Sequence, residues 1–137
     1  MTMTRKTFVA AMAVTIVTTA NASALTPLPK ETHINQSLMS GVAADTIRKV
    51  CPSISARMLV AYKKLNGLKS YAVNKGYNEA EVRAFLKNPT EKARVKAMAA
   101  DYLKSQGAVV GDAESYCTVG REEIAKNSLI GQMLRAR

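Results

Sequence analysis

Apolar residues recur in two regimes along this chain. From Phe8 to Thr19 (FVAAMAVTIVTT) they run nearly unbroken, whereas from Ile34 onward they return every three or four positions. The first run follows Arg5 and Lys6 and gives way to the small residues of Ala20-Asn21-Ala22 and Ala22-Ser23-Ala24, which is the layout of a secretory signal. At about a dozen residues it falls short of the roughly 20 that a helix needs to cross a bilayer core. The pattern predicts a cleaved signal peptide over residues 1–24, with Ala22 as the alternative cleavage point. No cysteine follows this region, so a lipoprotein anchor is not expected.

Residues 25–33 (LTPLPKETH) carry two prolines and no period, which predicts an extended or mobile lead-in. The second regime then predicts a series of amphipathic helices over residues 34–137. In the first, Ala43, Ile47, Val50 and Cys51 share a face, and Pro52 closes the segment because the residue before proline avoids helical geometry. Ser53 is the expected N-cap of a second helix, whose stripe runs Ile54, Met58, Ala61, Tyr62, Leu65, Leu68 and Ala72 and stops at Gly76. Arg57, Lys63, Lys64 and Lys75 fall on its opposite, solvated face.

Asn78 followed by Glu81 resembles a capping box and opens a third helix through Val82, Phe85 and Leu86. Asn88-Pro89-Thr90-Glu91 repeats that grammar with proline at the first helical position, starting a fourth helix through Val95, Met98, Ala99, Tyr102 and Leu103 until Gly107. Asp112 caps a fifth, through Tyr116, Cys117, Gly120 and Ile124, with Glu114 in its first turn. The period resets near Asn127-Ser128, and Leu129, Ile130, Met133 and Leu134 form a last amphipathic turn or two that is expected to pack on the bundle, with contact to a partner as the alternative. No segment alternates for long enough to predict a sheet. The expectation is an all-α, compact bundle of about five to six helices.

Composition narrows the function. The chain has 137 residues with 20 basic and 10 acidic side chains, no Trp and one His. Losing Arg5 and Lys6 with the leader takes the net charge from +10 to +8. For an exported protein such a charge points to anionic headgroups, cell-wall polymers or acidic protein surfaces and not to nucleic acid, or simply to a solvated surface, and alone it picks no partner. Two cysteines in a small exported domain most often pair, so the expected staple is Cys51–Cys117, enclosing helices two to four. Free or intermolecular thiols are the alternative, and a redox pair would sit closer in sequence.

The constellations that look chemical have simpler readings. Glu122 and Glu123 point about 100° apart on a helix, so they do not share one site, and surface pairing with Lys126 is expected. Lys92, Arg94 and Lys96 spread around their helix and read as solvated. His33 beside Glu31 lacks further ligands for a metal. Met39, Met58, Met98 and Met133 read as core, and Ser115 and Ser128 have no His to activate them. No catalytic, cofactor-binding or metal residue is expected, and the chain is read as not an enzyme.

Three stretches carry a resemblance: Gly41 to Arg48 (GVAADTIR) with Cys51 to Arg57 (CPSISAR), Gly76-Tyr77 with Glu79 to Phe85, and Ser115-Tyr116-Cys117 with Gly120 to Ala125 (GREEIA). They resemble an uncharacterised family of small exported proteins of Gram-negative bacteria, a domain of unknown function. The resemblance implies a periplasmic protein peripheral to the inner membrane, working as an accessory subunit on the external face of NADH:quinone oxidoreductase, respiratory complex I. Its implied partners are subunits of that complex, and the +8 charge would favour peripheral contact with anionic headgroups. The alternative is a free periplasmic binding protein or small chaperone.

Overall fold

The computed structural model describes residues 23–137, so the expected leader lies outside the described residues except for Ser23 and Ala24. A 3-10 turn at Leu28–Lys30 leads into α1 (Thr32–Val50). There follow β1 (Ile54–Ala56), α2 (Met58–Lys75), α3 (Glu79–Lys87), α4 (Pro89–Ser105), α5 (Ala113–Ala125), α6 (Leu129–Gln132) and β2 (Leu134–Ala136). The fold is all-α apart from the small β1–β2 ribbon, and one disulfide joins Cys51 to Cys117, whose Cα atoms lie 5.1 Å apart.

Local chemistry places most of the boundaries. Asn78 accepts from the amides of Ala80 and Glu81, and Asn88 accepts from Thr90 and Glu91, so each side chain satisfies helix donors that lack an intrahelical partner. Asp112 does the same for Glu114 and Ser115. Gly76 ends α2 at φ +110°, a conformation that side chains with a Cβ resist.

α1 is the spine. Its Ala43, Ala44 and Ile47 join Cys51, Cys117, Ala99, Leu103 and Val119 in a core around the disulfide, closed from one end by Ile54, Ile130, Met133 and Leu134. A second core gathers Leu28, Ile34, Leu68, Ala72, Tyr77, Val82 and Phe85. Two glycines permit close approach in the first. A Cβ on Gly131 would collide with the Glu123 carbonyl, and one on Gly120 would run into Ile54 and Ile47.

Two expectations about the fold are corrected here. The lead-in is neither extended throughout nor loose: Leu28 is buried, the Tyr77 hydroxyl donates to the Thr26 carbonyl, and Asn35 donates to the carbonyls of Leu28 and Glu31 at 3.0 and 2.6 Å. Ser53 does not cap α2. Ile54 to Ala56 instead form a strand that pairs antiparallel with Leu134 to Ala136, in the register Ile54 to Ala136 and Ala56 to Leu134. The tail thus packs on the bundle as expected, but its last residues do so as a strand. Three-residue strands are too short to show alternation, and a two-stranded ribbon is marginal alone. This one persists because Ile54 and Leu134 share the face turned to the disulfide core.

Candidate docking groove

The third correction concerns α2 and creates the site. Its apolar stripe was expected in the core, yet only Leu68 and Ala72 are buried. Met58, Tyr62 and Leu65 are 63%, 64% and 39% exposed. They form one wall of an open groove of about 590 Å³ between α1 and α2. Small residues on α1, Ser37, Gly41 and Ala44, leave the space, and Leu129 and Met133 line it from the α6 side. A Cβ added at Gly41 would meet nothing within 4 Å.

Ser37, His33, Asp45, Arg48 and Lys64 are the polar side chains of its lining. The Asp45 carboxylate pairs with Arg48 at 2.6 Å and Lys49 at 2.5 Å. Burial raises its pKa, but hydrogen bonds from Lys49 and Arg48 outweigh that and hold it below the usual carboxylate value. Lys64 donates to the Gln132 amide oxygen at 2.7 Å. His33 turns its ring edge-on to Tyr71, with centroids 4.4 Å apart. The arrangement can bury an apolar segment along its floor and hold polar groups at its edges.

The other expected candidates scatter. Glu31 and His33 do not form a common ligand pair. Glu31 is buried and caps α1, accepting the Ile34 amide at 2.6 Å, the Lys75 ammonium at 2.8 Å and the Tyr71 hydroxyl at 3.0 Å. Burial raises its pKa, but these three donors outweigh burial and bring it down to about 2. Lys75 is raised in turn, chiefly by its bond to Glu31.

Glu122 pairs with Lys126 at 3.9 Å as expected, whereas Glu123 does not sit on the surface. It is 1% exposed and accepts hydroxyl protons from Tyr102 at 2.6 Å and from Ser128. The signal for its burial was its position, four residues after Val119 and three after Gly120 on the core face. Arg94 likewise leaves the solvated set, bonding Glu91 at 2.8 Å and the Asn35 side chain. Met133 is buried and Met39 packs partly against the first core, but Met58 lies on the groove. Ser115 staples the 109–112 turn, and Ser128 caps α6.

Among the described residues no three His, Cys, Asp or Glu side chains converge as a metal site. Nor is any described helix long and apolar enough to cross a membrane. No similar protein among curated proteins and no similar solved structure matches the chain. A family model does match over residues 26–135, which takes in the groove, both cysteines and all of the β1–β2 ribbon but Ala136. The chain therefore belongs to the family of unknown function designated DUF5333.

Proposed function

We propose that the protein is a non-catalytic, exported accessory module that docks through the α1–α2 groove at the periplasmic face of a membrane complex. Respiratory complex I is the assembly that its resemblance points to. The observation that carries the reading is the open apolar groove, because a helix that keeps Met58, Tyr62 and Leu65 in water leaves surface for a partner to bury. The Cys51–Cys117 bridge agrees with an oxidising compartment and makes the groove a firm template.

The test is co-isolation. A C-terminally tagged chain is recovered from mild-detergent extracts of its own host, and its companions are identified by native gel and mass spectrometry. The expected result is complex I subunits at fixed stoichiometry, lost when Leu65 is changed to Asp. A monomer confined to the soluble fraction would overturn the reading in favour of a free binding protein or chaperone.

A further inference from the structure

The charge of this protein is not evenly distributed. None of its ten acidic residues falls between Asp45 and Glu79, and none follows Glu123. The β1–β2 ribbon brings these two acid-free stretches together. Arg135 stands opposite Ser55, the Arg137 amide donates to the Ser53 carbonyl at 2.9 Å, and the Arg57 amide donates to the Met133 carbonyl at 2.8 Å. Arg57, Lys63, Arg135 and Arg137 are all exposed, and among the described residues none has an ion-pair partner.

Beside these bases, the first turns of α2 hold Met58 at 63%, Leu59 at 78% and Tyr62 at 64% exposure. Leu59 does not line the groove, so a segment seated there would leave it in water. A short helix end that pairs bare apolar side chains and a tyrosine with cations, and with no carboxylate side chain, has the chemistry of an interfacial anchor.

From this juxtaposition we infer that the corner formed by the ribbon and the start of α2 rests on an anionic bilayer surface. Leu59 enters the headgroup boundary, Met58 and Tyr62 stand at the lip of the groove beside it, and the four bases face lipid phosphates. An acidic protein surface would satisfy the bases but gives no role to Leu59, which protrudes instead of lining the groove. The contact is peripheral and adjoins the docking groove at Met58 and Tyr62, so that one module meets both a complex and the lipid around it.

The test uses the purified protein alone, so its failure is separate from failure of co-isolation. Sedimentation with phosphatidylglycerol-containing vesicles is compared with phosphatidylcholine vesicles. Binding is expected only to the former and is expected to weaken with salt. Attraction of a basic side chain to such a surface corresponds to about fivefold in partition, so Arg57→Gln with Lys63→Gln lowers it about 25-fold. Leu59→Asp lowers it as well, while Lys96→Gln with Lys104→Gln on α4 leaves it within about twofold. Lys63→Gln alone, with circular dichroism, separates lost contact from lost fold. Lipid-independent behaviour, or equal loss from the α4 pair, would overturn the inference.

Discussion

The Tyr102 hydroxyl on α4 donates to the Glu123 carboxylate on α5 at 2.6 Å, in a site where Glu123 is almost wholly shielded from water. Ser128, at the head of α6, donates to the same carboxylate and accepts the Gly131 amide at 3.0 Å. One buried acid thus ties three helices. Tyr102→Phe leaves one of its oxygens short of a donor, and a loss of about 1–3 kcal/mol in urea unfolding is expected. Burial, reinforced by the Glu123 carboxylate, pushes the Tyr102 hydroxyl up to about 12 from 10.0. Its neutral form is favoured in the fold, so this contribution is intact below pH 10 and declines as pH rises toward 12. Unfolding midpoints measured over that window should fall more steeply for the wild type than for Tyr102→Phe.

Acid acts at the other end of the bundle. Glu31 has its carboxyl lowered from 4.5 to about 2, so its contribution is present above 4.5 and fades as pH falls toward 2. Glu31→Gln is expected to be less stable at neutral pH and to show a flatter acid limb. A pH series of urea midpoints for both chains checks this, and identical slopes would refute it.

Much of this architecture is legible in the chain itself. Asn78, Asn88 and Asp112 announce their helices because a short polar side chain before an apolar run has few other uses. The disulfide follows from having two cysteines behind a leader that reads as a secretory signal. What escapes is whatever a period cannot state. Periodicity puts Met58, Tyr62 and Leu65 on one face of α2, but does not say that nothing covers that face. Glu123 looks superficial because it is charged, although its spacing from Val119 is a core spacing. Glu31 hides in a proline-containing lead-in, and glutamate is not a favoured cap.

Reduction of Cys51–Cys117 reopens a loop spanning 66 positions, which in the chain-entropy model removes about 4 kcal/mol. A Cys51→Ala, Cys117→Ala chain should therefore unfold at much lower denaturant, with the wild type matching it only in the presence of reductant.

Glycines separate packing from docking. Gly131→Ala forces a Cβ against the Glu123 carbonyl and is expected to cost about 1–3 kcal/mol. Gly41→Ala meets open space in the middle of α1 and should raise stability by about 0.5–1 kcal/mol through helix propensity. Gly41→Leu keeps the fold but fills the groove, and loss of co-isolation with unchanged thermal unfolding is the expected signature.

The β1–β2 pairing also sets a timetable. Ile54 leaves a chain that emerges N-terminus first about eighty residues before its partner Ala136, and Cys51 precedes Cys117 by 66. Neither closure can form until most of the chain is out. Until then the first core lacks Cys117, Val119, Ile130, Met133 and Leu134, although the second core, which ends at Phe85, has all its residues. Such a late-locking order would suit the export that the leader pattern leads us to expect, because a chain threaded unfolded through a narrow channel becomes rigid only on the far side.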